Sequence, residues 1–358
     1  MENEKLLTIV VPIYNVERYL RQCLDSLLYQ TVDNHFVIMV NDGSKDSSGE
    51  IAKEYADKYP EIFRYIEQEN AGLGAARNTG LRLVETEMVG FLDSDDWVPA
   101  NYIERLTKRI ELAGVLPDIL YTLPCVFDCA TNRFQDWMDK PLLEELFSEE
   151  GKVLYPKEDF RIMGLEPTAN RKLYRIAFLH QINFAFPTGT KWEDVEPHFE
   201  QLHLANCCIA ERNTGFIYRI NSGGQITASV GSDRLQIVSV FSRALEKARL
   251  EEWTRTEINY IIRMMFSFSR WSISFSNNEV RRELVGELHK LYRSITKQDW
   301  NNYFADFGIG RKDRLYIWLI KSRFFPLLAN PVRYDRARFF LKKFARRLKF
   351  KHSGGDKK

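Results

Sequence analysis

The first ninety residues alternate between short apolar runs and segments with helical spacing. Residues 6–12 form a continuous run rich in β-branched side chains, which predicts a parallel strand buried on both faces. Leucines at helical spacing follow over residues 16–29. The same alternation continues with predicted strands at 36–41, 63–68 and 88–93 and predicted helices at 46–59 and 72–84. It predicts an α/β domain whose parallel strands are joined by right-handed crossovers.

At 358 residues the chain is long for a single hydrophobic core, so two domains are expected. The α/β domain is predicted to run from residue 1 to about residue 232. From residue 233 to residue 358 the sequence predicts a mainly helical domain, because Gly and Pro are scarce between residues 234 and 308. The helix at 72–84 is rich in small residues and is expected to approach its neighbours closely.

The charge is distributed unevenly along the chain. The whole chain carries a formal charge of only +2, whereas residues 311–358 contain 16 basic and three acidic residues. Within this tail, apolar and basic residues separate onto different faces of a predicted helix; the apolar ones are Ala337, Phe340, Leu341, Phe344 and Leu348. A basic amphipathic tail over about 311–352 is typical of helices that bind anionic membranes. Alternatively, the tail could pack on its own domain or bind nucleic acid, although no nucleic-acid recognition motif accompanies the basic residues.

Five cysteines, including the vicinal pair Cys207 and Cys208, show neither metal-type spacing nor a disulfide framework. This usage is typical of a reducing compartment. The N-terminal sequence lacks the features of a signal peptide, and no segment has the roughly 20 apolar residues needed to span a bilayer. The sequence therefore predicts an intracellular protein.

Polar, turn-forming sequences follow three of the predicted strands: PIYN, NDGSKD and DSDDW. In open α/β sheets, ligands bind outside the carboxyl ends of the strands. The third sequence holds Asp93, Asp95 and Asp96, and carboxylate oxygens of this kind suit Mg²⁺ or Mn²⁺. Asp42 could accept hydrogen bonds from a nucleotide base or ribose. Gly72, Gly74 and Arg77 at a helix start could bind an anion, although solvated turns remain an alternative for each segment.

Four segments, TIVVPIYNVERYLRQCLDSLLYQT, VNDGSKDSS, NAGLGAARNTGL and VGFLDSDDWV, resemble in order and spacing the family 2 inverting glycosyltransferases of bacterial surface-polysaccharide synthesis. The resemblance resumes at residues 170–199. It implies a GT-A fold, with a Rossmann-like, mostly parallel sheet flanked by helices, before the helical C-terminal domain. It also implies that residues 1–100 bind the nucleotide sugar and that residues 101–232 bind the acceptor.

The resemblance assigns expected roles to individual residues. The predicted nucleotide-sugar contacts are Pro12, Tyr14, Asn15, Asp42, Arg77, Asp93, Ser94, Arg219, Gln225 and Thr227, with Tyr14 stacking on the base. Asp95 and Asp93 are the expected ligands of Mn²⁺ or Mg²⁺, with Asp96 as a possible substitute. Asp194 is the expected catalytic base and Glu193 its neighbour. The region from Tyr218 to Ser229 departs from the family by lacking a His, while His198 and His203 are expected on the helix after the base.

Inversion at an anomeric carbon needs a carboxylate that takes the proton of the attacking hydroxyl. The resemblance therefore implies a metal-dependent inverting glycosyltransferase, a hexosyl- or N-acetylhexosaminyltransferase. It would use a nucleotide-sugar donor, most simply a UDP-sugar, and a glycan or lipid-linked acceptor. Between Arg311 and Lys351 the tail would bind the inner face of the cell membrane, and the C-terminal domain could form a homo-oligomer. The alternatives are a catalytically silent membrane-associated module and a nucleotidyltransferase, although no phosphate-loop motif supports the latter.

Overall fold

The computed structural model describes residues 5–222 and 230–329. These residues belong to two compact units, an N-terminal unit over residues 5–222 and a C-terminal unit over residues 230–329. Each unit is described separately below. The domain boundary predicted near residue 232 remains a prediction.

The described part of the N-terminal unit contains eight strands and seven α-helices. The strands are β1 (Leu7–Ile13), β2 (His35–Asn41), β3 (Phe63–Glu67), β4 (Met88–Phe91), β5 (Ile119–Asp128), β6 (Arg133–Asp136), β7 (Lys172–Arg175) and β8 (Cys208–Ile220). The helices are α1 (Glu17–Leu28), α2 (Ser48–Lys58), α3 (Leu73–Leu81), α4 (Tyr102–Ala113), α5 (Lys140–Leu146), α6 (Ile176–Gln181) and α7 (Val195–Leu204). Short 3₁₀ turns cover Phe160–Gly164 and Ala169–Arg171.

The strands form one sheet in the order β3-β2-β1-β4-β7-β5-β6, and β8 also pairs with β5. Strands β1 to β4 are parallel, and β8 is parallel to β5. Strand β7 runs antiparallel to both of its neighbours, β4 and β5. The structure thus confirms the predicted α/β class and its mostly parallel sheet flanked by helices.

The core lies between the sheet and its helices. Every residue of β1 is buried, which confirms the prediction from its unbroken apolar run. On α1, the apolar face packs into the same core through Leu20, Leu24 and Leu27. Helix α3 lies very close to β1. A Cβ atom added at Gly80 would come within 2.3 Å of Val10 Cγ1, which is too close for any residue with a side chain. The small residues of α3 therefore permit the close approach that the sequence predicts.

The described part of the C-terminal unit is helical. Its α-helices are α8 (Gln236–Leu250), α9 (Arg255–Phe275), α10 (Asn278–Ser294), α11 (Lys297–Asp306) and α12 (Arg311–Lys321). A capping box begins α9, where the Thr254 hydroxyl accepts from the Glu257 backbone N–H and the Glu257 carboxylate accepts from the Thr254 N–H. Over the residues that the structure describes, no helix combines the length and apolar character that crossing a membrane requires.

Candidate active site

The sheet brings the ends of its parallel strands to one edge. Ile13, the last residue of β1, lies opposite Asn41, the last residue of β2. Strand β7 runs antiparallel to β4 and places Leu173 opposite Gly90, one residue before β4 ends. The segment that precedes β7 therefore lies beside the polar segments that follow β1, β2 and β4.

The segment after β1 carries one exposed aromatic ring. Tyr14 is 52% exposed, whereas Pro12 is buried within β1. Asn15 adopts a left-handed backbone conformation with φ of 50°. Its side-chain oxygen accepts from the Lys45 backbone N–H at 2.7 Å, and its own N–H donates to Ser44 Oγ at 3.1 Å. Asn15 thus fixes the segment after β1 to the segment after β2 and leaves the Tyr14 ring open to solvent.

Asp42 is buried and organises the start of α3. Its carboxylate accepts from the Gln68 side chain at 2.7 Å. It also accepts from the backbone N–H groups of Ala71 and Gly72, each at 2.9 Å. Gly72 has φ of 90°, a conformation that L-residues with side chains rarely adopt. Three of roughly four acceptor positions on Asp42 are therefore occupied by the protein, which leaves about one for a ligand.

The acidic turn, residues 93–96, follows β4 and is largely enclosed. Asp96 is 1% exposed and Ser94 is 7% exposed. Burial, together with the charge of Asp93, raises the pKa of Asp95 to about 6. Burial raises the pKa of Asp96 well above its usual range, and its two neighbouring carboxylates add to that rise. The turn thus gathers carboxyl groups that a cation would stabilise in their charged form.

Arg219 supports the acidic turn from β8. Its guanidinium lies 4.5 Å from the ring centre of Tyr19 and 4.5 Å from that of Trp97. Its Nε donates to the backbone carbonyl of Asp95 at 2.7 Å, and its backbone N–H donates to Asp96 Oδ1 at 2.8 Å. In these contacts Arg219 holds the shape of the turn, a role that the sequence did not indicate. The predicted contacts Gln225 and Thr227 lie outside the described residues.

Arg77 on α3 joins the acidic turn to the segment that carries the predicted base. It is 2% exposed. Its Nη2 donates to Asp93 Oδ1 at 2.8 Å and to Asn170 Oδ1 at 3.3 Å. Its Nη1 donates to Glu193 Oε1 at 2.5 Å. Burial raises the pKa of Glu193, and the Arg77 guanidinium opposes that rise.

Polar atoms around Arg77 lack partners inside the protein. Arg77 Nε, Asn170 Nδ2 and Glu193 Oε2 are buried without a hydrogen bond in the described structure. Buried polar groups are normally paired with protein or with ordered water, because an unpaired one costs about 1–3 kcal/mol. Donors and acceptors in this arrangement match the needs of water or of ligand hydroxyl groups.

Asp194 stands at the N-terminus of α7 but does not cap it. No side-chain hydrogen bond to the helix N–H groups is formed, so its carboxylate is not consumed by the fold. Burial raises the pKa of Asp194, with Glu166 adding to the rise and Arg77 and Lys172 opposing it. Such a half-buried carboxyl group can exchange a proton near neutral pH, as a general base requires.

The histidines of α7 lie on the helix, as predicted. His198 is fully buried, and its Nε2 lies 3.3 Å from the Met163 carbonyl oxygen. Burial lowers the pKa of His198 well below its usual range, with the charge of Lys172 contributing. His198 is therefore neutral at pH 7 and packed in the interior, and its one described hydrogen-bond contact is a backbone carbonyl.

The chemistry of the acidic turn fits a divalent cation. Asp96 Oδ2 is buried without a hydrogen-bond partner among the described residues, and Asp95 has a raised pKa. A bound cation would compensate both groups. The described chain contains no group of three metal-ligating side chains. Mg²⁺ is commonly held by one or two carboxylates while phosphate oxygens and waters complete its shell.

Two buried residues of this site were given no role from the sequence. Asn170 and Lys172 are 2% and 1% exposed, and both precede or begin β7. The only sequence signal is a cluster of polar residues directly before an apolar strand, in NRKLYR. A polar cluster of this kind is more often solvated, so its burial could not be read from the pattern.

Relatives in sequence include glycosyltransferases and a minor teichoic acid biosynthesis protein. The profile of Glycosyl transferase family 2 matches residues 8–164. Glycosyltransferase GlyG of Streptococcus pneumoniae is 40% identical over 251 residues, which cover 67% of this chain and 80% of GlyG. Glycosyltransferase GlyA of the same organism is 56% identical over 104 residues, 29% of this chain but only 15% of GlyA. The minor teichoic acid biosynthesis protein GgaB of Bacillus subtilis is 43% identical over 101 residues, 28% of this chain and 11% of GgaB.

Solved structures share the fold at low sequence identity. S. aureus TarS 1-349 in complex with UDP-GlcNAc matches with a TM-score of 0.71 and 18% identity, over 92% of each chain. Mannosyltransferase PcManGT from Pyrobaculum calidifontis, in complex with GDP-Man and Mn²⁺, matches with a TM-score of 0.53 and 15% identity, over 92% of this chain and 86% of that chain. Together with the match to most of GlyG, these likenesses show that the chain belongs to glycosyltransferase family 2 and has the GT-A fold.

Proposed function

We propose that the protein is a metal-dependent inverting glycosyltransferase. It would transfer a hexosyl or N-acetylhexosaminyl group from a UDP-sugar to a hydroxyl of a glycan or lipid-linked acceptor in bacterial surface-polysaccharide synthesis. The UDP-GlcNAc bound to TarS supports the donor class, and the name of GgaB supports the acceptor class. The chain matches only 15% of the length of GlyA and 11% of that of GgaB, so the full activities of those two proteins are not proposed for it.

One observation carries the proposal more than any other. The buried Arg77 guanidinium binds Asp93 of the acidic turn and Glu193, which directly precedes Asp194. The acidic turn and the segment that carries Asp194, whose carboxylate makes no capping hydrogen bond to α7, are thereby held in one polar site, although about a hundred residues separate them in sequence. This is the arrangement that attack by a hydroxyl on a phosphate-linked sugar requires.

The residues of the site have distinct tasks in this mechanism. Asp194 takes the proton of the acceptor hydroxyl while the hydroxyl oxygen forms a bond to the anomeric carbon. The bond from that carbon to the diphosphate breaks on the opposite face, so configuration inverts. The exposed Tyr14 ring would stack on the nucleotide base.

The proposed cofactor is Mn²⁺ or Mg²⁺, with Asp95 and Asp93 as ligands and Asp96 as a possible substitute. Bound there, the cation would neutralise the negative charge of the diphosphate leaving group. The Mn²⁺ present with PcManGT supports this choice. Arg219 would keep the turn in shape through its bonds to Asp95 and Asp96.

Thermal unfolding with a panel of nucleotides tests this proposal. A ligand that binds only the folded state stabilises it and so raises the unfolding midpoint. The stabilisation is about 2.7 kcal/mol when the ligand concentration is 100 times its dissociation constant. We expect UDP with Mn²⁺ to raise the midpoint, and UDP with EDTA to raise it much less. GDP, CMP and dTDP with Mn²⁺ are the matched comparisons.

The possible outcomes separate the alternatives. A rise with GDP, CMP or dTDP instead of UDP would keep the enzyme class and change the donor. No rise with any nucleotide would contradict the proposal and favour a catalytically silent GT-A module.

We also propose that the enzyme acts as a peripheral protein at the inner face of the cell membrane. In the C-terminal unit, Trp318 is 51% exposed and Phe324 is 42% exposed, with ring centres 6.0 Å apart. The Arg323 guanidinium lies 5.2 Å from the Phe324 ring centre. Exposed aromatic rings beside basic groups suit a membrane interface. The amphipathic helix predicted over 337–348 lies outside the described residues, and homo-oligomer formation remains a prediction.

Vesicle flotation of the full chain tests this location. We expect binding to vesicles of phosphatidylcholine with phosphatidylglycerol, and little binding to phosphatidylcholine alone, because each basic group near an anionic surface contributes about 1 kcal/mol. Trp318→Ser should weaken binding, whereas Leu250→Ser, which removes a side chain that is 77% exposed elsewhere in the unit, should not. Equal recovery with and without the anionic lipid would indicate that the basic tail packs on the protein.

A further inference from the structure

Three aromatic side chains of the N-terminal unit, Trp97, Phe127 and Phe134, form what we call the aromatic row. Their positions follow from the register of three neighbouring strands. Phe127 of β5 lies opposite both Arg219 of β8 and Phe134 of β6, and side chains of opposed residues share one face of a sheet. Trp97 joins the row from the chain after β4, where its backbone bridges to Ile217 of β8.

The members of the aromatic row are in contact with one another. The ring centres of Trp97 and Phe127 are 5.5 Å apart, with the rings edge to face. Those of Phe127 and Phe134 are 5.0 Å apart. At the start of the row, the Arg219 guanidinium lies 4.5 Å from the Trp97 ring centre. The row is therefore one continuous cluster and not three separate apolar side chains.

Exposure to solvent increases along the row. Arg219 is buried, Trp97 and Phe127 are half-buried, and Phe134 is 61% exposed. Phe134 lies on β6, the last strand in the sheet order. A single exposed apolar side chain is common on protein surfaces, but a contiguous group of aromatic rings that opens to solvent is typical of a binding surface.

The buried end of the row lies at the acidic turn. Trp97 directly follows Asp96 in sequence, and the Arg219 Nε that lies beside it donates to the Asp95 carbonyl. Neighbouring strands are about 4.8 Å apart, so the row extends about 10 Å from β8 to β6. A ligand that lies along the row therefore has one end beside the proposed site of transfer, and a short run of sugar units can cover this distance.

The chemistry of the row suits a carbohydrate. One face of a pyranose ring presents C–H groups and packs against an aromatic ring, while its hydroxyl groups remain hydrated at the rim. On the same face of β6 as Phe134, the Asp136 carboxylate is 75% exposed and pairs with Lys140 at 3.0 Å. Such a charged pair suits sugar hydroxyls, whereas burying it under lipid acyl chains would be costly.

We propose that the aromatic row binds the acceptor glycan, with the sugar units behind the attacking one stacked along Phe127 and Phe134. This inference rests on the proposed function, in which the acceptor is a glycan. Because Phe134 lies farthest from the acidic turn, its ring contributes only to the binding of glycans long enough to reach β6. The row thus makes the enzyme prefer a growing chain over a single sugar.

Binding of the full chain to arrayed oligosaccharides tests the inference. The array carries oligomers of glucose, galactose, N-acetylglucosamine and N-acetylgalactosamine, from monosaccharide to hexasaccharide. We expect the native protein to bind at least one series more tightly as the oligomer lengthens. Phe134→Ala should remove that gain, with the greatest loss, about tenfold in Kd, for the longest oligomers.

Three further variants separate stacking from other effects. Phe134→Tyr keeps the ring and should bind as the native protein does, whereas Phe134→Leu keeps an apolar side chain without a ring and should lose the gain with length. Leu112→Ala, at a side chain of α4 that is also 61% exposed, is the matched control and should change nothing. Native-like binding by Phe134→Ala, or no oligosaccharide binding by the native protein, would overturn the proposal.

Two measurements distinguish the remaining outcomes. If sedimentation shows that Phe134→Ala converts a native dimer to a monomer, a second copy of the chain occupies the row and the proposal is wrong. Unfolding of the native protein with UDP and Mn²⁺ tests the proposed function by itself. Stabilisation by UDP together with native-like glycan binding by Phe134→Ala would refute only the acceptor surface. Glycan binding through Phe134 without stabilisation by any nucleotide would support the surface and contradict the transferase.

Discussion

Asp194→Asn is expected to lower the kcat of sugar transfer by about 10²–10⁴-fold, the usual contribution of a general base. The amide has the size of the carboxylate but cannot take the hydroxyl proton. The fold should tolerate the change, because Asp194 makes no capping hydrogen bond to α7. Stabilisation by UDP with Mn²⁺ should persist, since the donor is bound mainly by other residues.

The pH profile gives the same prediction a sign. Burial raises the pKa of Asp194, so the base is lost as pH falls through that raised value and the rate falls with it. Glu50→Gln, in the first turn of α2 and exposed, is a matched control that should leave kcat unchanged. If Asp194→Asn transfers sugar within about threefold of the native rate, Asp194 is not the catalytic base, and Glu193 is the next residue to examine.

Asp95→Asn is expected to have two effects of opposite sign. Without metal at pH 7 it should stabilise the protein by about 1–2 kcal/mol, and it should abolish the stabilisation by UDP with Mn²⁺. The first effect follows from the pKa of Asp95, about 6 in the folded protein. This exceeds the value of about 3.9 for an unfolded chain. Folding therefore disfavours the charged form, and the amide carries no charge.

The sign of the pH dependence follows from linkage. The folded state holds the Asp95 proton more tightly, so stability is lost as pH rises from about 4 to about 6. The gap between Asp95→Asn and the native protein should thus open above about pH 4 and be complete by pH 7. Thermal unfolding in EDTA across this range measures it, with Asp57→Asn on the exposed side of α2 as the control. A gap that is constant with pH would contradict the assignment.

The fold could be predicted from the sequence because the patterns that indicate it are local. The unbroken apolar run of β1 and the leucine spacing of α1 each determine how a short segment is buried. Small residues on α3 similarly indicated close packing, which the contact between Gly80 and Val10 realises. The order of these elements along the chain then leaves few topologies other than a parallel α/β sheet.

The contacts inside the site could not be predicted from the sequence in this way. Asp42 was expected to face a ligand, yet three N–H groups of the protein occupy most of its carboxylate. Arg77 was expected to contact the nucleotide sugar, and in this structure it binds Asp93 and Glu193. Such pairings depend on how distant segments pack, which periodicity does not encode. The ligand-binding roles of these residues therefore remain proposals.

The Arg77 bridge has a consequence for exchanging donor specificity between relatives. Residues 1–100, which we propose bind the nucleotide sugar, are the natural piece to graft from one enzyme to another. A graft of that piece into a relative would separate Arg77 from Asn170 and Glu193, which lie outside the piece. The Arg77 guanidinium thus connects residues 1–100 to the later part of the unit. A chimera is expected to function only where the recipient has side chains that can bind Arg77 as Asn170 and Glu193 do.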